Sequence, residues 1–478
     1  MEADFLISAF KDDSLGDDDA VGIAEKIEQG DLDVRSVTQD AIERAKNVNP
    51  QLNAIAVEDF DSALARSDKS FSGVFKGIPT FIKDTDEVKG LPLYFGSRCL
   101  PGEISTKFSK TTRQILATGL NCIGTTTTPE FGLTGTTESM RFGATRNPWN
   151  PAYSTGGSSG GSSALVATGV VPIAHANDGA GSIRIPASCC GLVGFKASRD
   201  RIKDKELPKY LPANILHDGV VTRTVRDTWA FHSSIEKNIP AEGLPPIGDI
   251  SETCQSDLRI AVLTEDCKGN QCSDELVQAT LDVATQCEVL GHNTEIISNP
   301  FYRKFDSDFW LLWAHLTFFI RYAGGKEFGS KFDPSQLEQW AKYLLNHHWK
   351  NLHKLPSAFW RLRRFISDYE NFLEEYDILL TPTLGTTAPE IGFFGPEVDG
   401  LTHWNRIHDF LPFTKYQNIS GAPAITLPCA TDKKGLPIGI QLASRLGEDR
   451  LLLELSMQLE KISSWNSINQ IKNIKEKL

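Results

Sequence analysis

Two glycine-rich stretches carry the residues best suited to chemistry. The first, Gly156-Gly-Ser-Ser-Gly-Gly-Ser-Ser163, runs straight into the apolar segment Ala164-Leu-Val-Ala-Thr-Gly-Val-Val-Pro-Ile-Ala174. The second, Asn177-Asp-Gly-Ala-Gly-Ser-Ile-Arg184, follows almost at once. By composition alone a Gly/Ser run is a flexible linker. A linker is not normally enclosed in core-forming sequence, so this run reads instead as backbone that comes close to something. Ser182 follows Gly179-Ala180-Gly181, small residues that let a chain turn sharply and aim its N–H groups inward. Ser182 is therefore the expected nucleophile for acyl transfer. The amides of Gly179, Ala180, Gly181 and Ser182 are the expected oxyanion hole. Such a reaction needs a nucleophile, a proton acceptor and a home for the developing negative charge.

Two kinds of proton acceptor are open. Lys83 ends the apolar run Ile78-Pro-Thr-Phe-Ile82, so it is expected to be buried, and desolvation makes a neutral amine available. A histidine with an acid would be the rival arrangement, with His175, His217, His403 and His408 as candidates, none in a recognisable partner motif. The pair His347-His348 raises metal binding, but adjacent histidines do not face one way on a helix and no third ligand stands out. No metal and no cofactor are expected.

The segment from Gly156 to Gly194 resembles the signature of the amidase signature family, serine hydrolases with a Ser-cisSer-Lys triad. The resemblance rests on the Gly-Gly-Ser-Ser-Gly-Gly turn, the small-residue segment after it, Asp178-x-x-Gly-Ser-Ile-Arg-x-Pro186 and Cys190-Gly-Leu-Val-Gly-Phe-Lys196. Gly77-Ile-Pro-Thr-Phe-Ile-Lys83-Asp84 resembles the family's lysine motif. Tyr376-Asp-Ile-Leu-Leu-Thr-Pro-Thr383, Asn418-Ile-Ser-Gly-Ala-Pro-Ala-Ile-Thr-Leu-Pro428 and Gly435-Leu-Pro-Ile-Gly-Ile-Gln441 resemble its C-terminal landmarks, so the likeness runs from about residue 15 to about 460. It implies Ser182 as nucleophile, Lys83 as base and Ser158, 24 residues before Ser182, as the bridging serine behind a cis Gly157–Ser158 peptide. Ser159 competes for that role; spacing favours Ser158. Asp178 and Arg184 match family positions that support the nucleophile loop, with Ser159 beside them. The sequence departs from many relatives at Ala197, Thr125 and Asn177, positions that bear on specificity more than on mechanism.

His175-Ala-Asn-Asp-Gly-Ala-Gly-Ser182 and Gly143-Ala-Thr-Arg-Asn-Pro-Trp149 look more like the branch with 6-aminohexanoate cyclic-dimer hydrolase than like a transamidation subunit. The resemblance implies a stand-alone hydrolase of linear, cyclic or aryl amides, with esters and carbamates (urethanase activity) as further substrates. Two rivals stay open: a glutamine amidotransferase subunit of a tRNA-dependent complex, and a non-catalytic binding protein. Monomer and homodimer are both compatible.

The bulk numbers narrow the class. The chain has 478 residues, a formal net charge of −12 and 40% hydrophobic residues. The acidic balance and the lack of a basic run exclude a nucleic-acid partner. The acidic N-terminus, Asp12, Asp13, Asp17, Asp18 and Asp19, reads as solvated surface. Met1-Glu-Ala-Asp-Phe-Leu-Ile-Ser8 has no leader pattern. The greasiest stretch, Phe309–Ile320, is 12 residues long and too short to cross a bilayer. Nine cysteines without a CxxC pair suggest reduced thiols and a cytoplasmic chain.

The elements that must position the chemistry follow from periodicity. Residues 19–60 read as two helices, the second with a capping box at Ser36-Val-Thr-Gln39 and a stop at Asn49-Pro50. Residues 74–84 read as a buried strand ending near Lys83, Leu258–Leu263 and Thr294–Ser298 as strands, and Asp274–Leu290 as a helix. Such alternation implies an α/β fold. The family adds a large mixed β-sheet flanked by helices on both sides. Length alone suggests about three domains; the family implies one, spanning 1–478. It would comprise N-terminal helices to about 60, a catalytic core at about 65–260, and variable pocket segments at about 300–375 and 390–412. Trp310, Trp313, Phe318, Phe319 and Tyr322 could line an acyl or leaving-group pocket or pack as core.

Overall fold

The computed structural model describes residues 5–202, 209–251, 257–463, 465 and 467–471. Near the N-terminus, β1 (Ile55–Glu58), β2 (Pro79–Lys83) and β3 (Asn121–Thr126) form a three-stranded sheet in the order β1-β3-β2. Two short ribbons follow, β4 (Glu138–Ser139) with β5 (Gly143–Ala144), and β6 (Arg146–Asn147) with β7 (Asn150–Ser154). The main sheet has eight strands: β8 (Ile173–Asp178), β9 (Val193–Lys196), β10 (His217–Thr222), β11 (Arg259–Val262), β12 (Asn293–Ile296), β13 (Ile378–Pro382), β14 (Ala424–Thr431) and β15 (Pro437–Ala443). Their order is β12-β11-β13-β15-β14-β9-β10-β8. β11 runs parallel to β12 and β13, and the remaining pairs are antiparallel, so the sheet is mixed, as expected.

Apart from the exposed edge strand β12, both faces of this sheet are buried. Successive strand residues point to opposite sides, and the two apolar clusters divide accordingly. Ile260, Val262, Ile378, Leu380, Ile425 and Leu427 join Trp229, Val283 and Leu453 on the face covered by helices Val225–Asn238, Asp274–Val289 and Asp449–Ser463. Ala261, Leu379, Ala424 and Ala443 join Leu165, Ile185 and Ala187 on the other. That second face carries the short helices Gly160–Ala167 and Arg184–Cys190, which follow the two glycine-rich stretches. Small residues let the second helix lie directly on the sheet: a Cβ on Gly439 would come within 2.5 Å of Ser188 Oγ, and one on Gly194 within 2.6 Å of Ala187. The long helices Phe305–Glu327 and Leu355–Glu375 pack against each other.

Several local expectations need correction. The second helix spans Val34–Leu52; its cap is Asp33, whose carboxylate accepts the Ser36 amide, so Ser36 sits inside the first turn. Pro50 lies within the last turn, and the helix ends only at Asn53 in a left-handed conformation. The N-terminal acids are not all solvated. Asp13 pairs with the buried Arg44 at 2.9 Å from Nε, and Asp19, 9% exposed, caps helix Ala20–Gln29 and takes the Arg226 Nε–H at 2.9 Å. The eight described cysteines are free thiols. Among the described residues no helix is long and apolar enough to cross a membrane.

Candidate active site

Lys83 is the last residue of β2 and is fully buried. Its Nζ lies 2.6 Å from Ser158 Oγ, 2.9 Å from Ser159 Oγ and 2.6 Å from Asn177 Oδ1. A neutral amine in this setting can donate to Asn177 and Ser159 while its lone pair accepts the Ser158 hydroxyl proton. Both serine candidates therefore reach the lysine. They differ in what else they face. Ser159 Oγ is turned to the backbone of Asn177, 3.3 Å from both its N–H and its carbonyl. Ser158 follows the cis Gly157–Ser158 peptide and opens on a cavity of about 140 Å³. Ser182, 5% exposed, lines the same cavity.

The loop that carries Ser182 is clamped from within. Asp178 Oδ1 accepts the Gly181 amide at 2.7 Å, and Oδ2 accepts that of Ile183 at 3.3 Å. Arg184 grips both oxygens, Nε to Oδ2 at 2.9 Å and a terminal nitrogen to Oδ1 at 3.0 Å. Burial alone would raise the Asp178 pKa, but the Arg184 guanidinium holds it well below the usual carboxylate range. This corrects one expectation. The Gly181 amide, one of the four expected to face an oxyanion, is occupied by Asp178. Gly181 itself has φ +118°, a conformation that glycine adopts without strain, and a Cβ there would meet Thr414 Oγ1 at 2.5 Å.

Residues far along the chain complete the clamp, and their roles had no counterpart among the sequence-based expectations. Thr414 donates to the Ala180 carbonyl at 2.6 Å. Asn418 donates to the Asp178 carbonyl at 3.1 Å and to Oδ1 at 2.9 Å, while accepting from Arg184 at 2.8 Å. Arg184 also donates to Gln417 at 3.1 Å and Gln441 at 2.8 Å. Asn418 and Gln441 belong to the C-terminal landmarks, a signal of importance without an assigned contact; nothing around Thr414 marked it.

The histidine alternative finds no support in the geometry. His217 Nδ1 faces the Ile215 carbonyl, His403 Nε2 faces Thr134 Oγ1, and His408 faces Asp306. His175 Nδ1 accepts the Lys83 backbone N–H at 3.2 Å, and its Nε2 lies 3.2 Å from Asp218. Among the described residues no hydrogen bond joins a histidine to Ser182. Among the described residues, the three possible metal donors that come within 4.8 Å of one another are Asp86, His175 and Asp218, and neither His347 nor His348 is with them.

Of the five aromatic residues that could line a pocket or pack as core, Trp313 alone is among the cavity's lining residues. Trp310 is buried against Trp340 and Trp404, and Tyr322 is largely exposed. Phe95, Phe131 and Leu216 supply the rest of the apolar wall. The Leu133 carbonyl accepts both the Trp313 and the Trp340 indole N–H, at 3.1 and 3.0 Å. The neighbouring Gly132 stands against Ser158, where a Cβ would lie 3.1 Å from Oγ.

A buried acid, Glu130, and a half-buried one, Glu338, tie this wall to helix Gln339–Asn351. Glu130 accepts the Glu338 amide at 2.8 Å and the Ser97 hydroxyl at 2.8 Å. Burial pushes both carboxyls upward, and for Glu338 the Glu130 charge adds to it. A folded pKa above the ordinary 4.5 means that the fold favours the protonated form. The stability this gives is complete below that ordinary value and is lost as pH rises through the folded pKa values. Melting temperature should accordingly fall between about pH 5 and about pH 8 and level off above it, and Glu338→Gln should flatten that fall. Parallel melting-versus-pH curves for the two proteins would refute the linkage.

A buried lysine on a serine hydroxyl, beside a second serine on a glycine-rich loop, is the arrangement that the sequence resemblance implied. The model of the family described as Amidase matches residues 36–453. The chain belongs to the amidase family. It is accordingly an amidohydrolase acting on carbon–nitrogen bonds. AmiC of Mycobacterium tuberculosis is 42% identical over 469 residues, which covers 97% of this chain and 98% of that protein. A solved structure of 6-aminohexanoate cyclic dimer hydrolase complexed with substrate superposes with a TM-score of 0.85 at 30% identity, covering 94% and 97% of the two chains. That of a bacterial aryl acylamidase of the amidase signature family gives 0.84 at 25%, covering 95% and 98%.

Proposed function

We propose that the chain is a stand-alone serine amidohydrolase that opens carboxamide C–N bonds of linear, cyclic and aryl amides through an acyl-enzyme, with esters and carbamates as further substrates. The observation that carries this reading is the 2.6 Å contact between the buried Lys83 Nζ and Ser158 Oγ, at the edge of a cavity that also holds Ser182. In this mechanism Ser182 Oγ attacks the carbonyl carbon and passes its proton to Ser158, whose own proton moves to Lys83. The amides of Gly179, Ala180 and Ser182 take the oxyanion. Collapse breaks the C–N bond, and the relay runs backward to protonate the leaving amine. Water, deprotonated by the same relay, then releases the acid. Asp178, Arg184 and Ser159 hold the loop and the lysine in place. The chain is read as one functional unit, since the site draws on residues from Lys83 to Gln441.

The substrate class is supported by the relatives, one acting on a cyclic amide and another named for aryl amides. The test is hydrolysis of a panel of anilide, aliphatic amide, oligoamide and aryl carbamate substrates by the purified chain with no partner present. Lys83→Ala should lower turnover by roughly a thousandfold, by analogy with other deletions within a catalytic relay. A defect of only a few-fold would remove Lys83 from the relay.

A further inference from the structure

Helices Gln339–Asn351 and Leu355–Glu375 are joined by the single turn Leu352–Lys354. The tip of this helical hairpin carries apolar side chains that the core does not use. Trp349, Leu352 and Trp360 are 51%, 44% and 61% exposed. Leu344, Leu355, Leu362 and Phe365 of the same two helices are buried, so the packing beneath the tip is already complete. The neighbouring helix Phe305–Glu327 widens the patch. Its Tyr322 is 58% exposed, with its ring centroid 6.2 Å from that of Trp349, and Phe318 stands 4.7 Å from Tyr322 and 5.4 Å from Trp349.

The charge of the tip is opposite to that of the chain. Residues 339–367 include six lysines and arginines and no aspartate or glutamate, in a chain of net charge −12. Arg361 is engaged by Asp308 at 2.6 Å, and Arg364 lies 3.6 Å from Asp368. The exposed Lys350, Lys354 and Arg363 have no acidic partner among the described residues. Lys354 donates to Asn351 Oδ1 at 2.8 Å and Arg363 to the Tyr210 carbonyl at 2.7 Å, contacts that leave the positive charge uncancelled. Acids elsewhere on the surface do not cancel it either, because exposed charges more than about 8 Å apart are largely screened at physiological salt.

Tryptophan and tyrosine rings settle at the headgroup level of a bilayer, and lysine and arginine lay their stems along apolar surface while their heads meet anionic lipid. A second copy of the chain on this face would bring two basic tips together in a symmetric contact, which like charge opposes. We propose that the hairpin tip at residues 349–364, with Tyr322 beside it, docks the protein on the surface of an anionic lipid bilayer without crossing it.

The test is co-sedimentation of the full chain with vesicles of phosphatidylcholine alone and of phosphatidylcholine with about 30% phosphatidylserine. The partition coefficient should be about tenfold or more higher on the anionic vesicles, since each lysine or arginine near such a surface adds attraction. Raising KCl from about 0.1 M to about 0.5 M should remove most of that difference. Lys350→Glu with Lys354→Glu should bring the two vesicles to the same level. Trp349→Ser with Trp360→Ser should weaken binding to the anionic vesicles by about tenfold, through lost apolar burial. None of these side chains lines the cavity that holds Ser158 and Ser182. Turnover of a water-soluble amide and the melting temperature should therefore stay near those of the parent, which separates loss of docking from loss of fold. Equal sedimentation with the two lipids, or sedimentation unchanged in both double variants, would overturn the proposal. Dimers that vanish in the tryptophan double variant, or capture of a DNA duplex, with neither vesicle bound, would overturn it as well and assign the tip to that other partner.

Discussion

Ser182→Ala is expected to lower amide turnover by roughly a thousandfold or more, the scale seen when a nucleophile is removed from a site whose other parts remain. The protein should fold as before, because the Ser182 side chain is not what shapes its loop. Asp178 and Arg184 hold that loop through the Gly181 and Ile183 amides, and Thr414 fixes it through the Ala180 carbonyl. Alanine fits where serine does, and the loss is one oxygen at the cavity wall. The measurement pairs steady-state turnover on the best amide of the panel with a thermal melt. Turnover within tenfold of the parent, at unchanged melting temperature, would show that another group attacks the carbonyl.

Arg184→Ala should have the largest effect on stability, about 3–5 kcal/mol, the usual cost of removing one partner of a buried ion pair. Arg184 is fully buried and donates to Asp178, Gln417, Asn418 and Gln441. Its loss strands the Asp178 carboxylate in the core with acceptors around it that no longer have a donor. The pH dependence should change sign. In the parent, the Asp178 pKa is depressed, so its contribution is present above the ordinary value of 3.8 and is lost only as pH falls through the depressed one. Without Arg184, burial dominates and raises that pKa, so the variant should lose stability as pH rises toward neutrality. Urea unfolding at about pH 5 and about pH 8 reads this directly. A variant no less stable at the higher pH would mean that Asn418 and the loop amides suffice to hold the charge. Activity should fall as well, since the same clamp sets the Ala180 and Ser182 amides.

Where the sequence misled, the reason was local ambiguity that only distant contacts resolve. Asp33 and Ser36 are both good capping residues three apart, and the backbone turns at the first. Asp13 and Asp19 look like members of a solvated acidic run until Arg44 and Arg226 arrive from elsewhere in the chain. Five aromatic residues within one helix were equivalent by composition. Helix packing turns Trp313 toward Gly179 and the Leu133 carbonyl, and sends Trp310 to the indoles of Trp340 and Trp404.

The family, the mixed α/β architecture and the three polar residues Lys83, Ser158 and Ser182 were legible along the chain, because a glycine-rich turn and its flanking strand are short-range patterns with few backbone solutions. Which of two adjacent serines opens on the cavity, and which turns to Asn177, was settled by packing. So was the pairing of the Gly181 amide with Asp178, and the bracing of that loop by Thr414 and Asn418 from more than two hundred residues away. The folded chain also brought Asp86 and Asp218 to the same wall. Those facts depend on side-chain directions fixed between strands and helices that are remote in sequence, and no periodicity or spacing along a single segment encodes them.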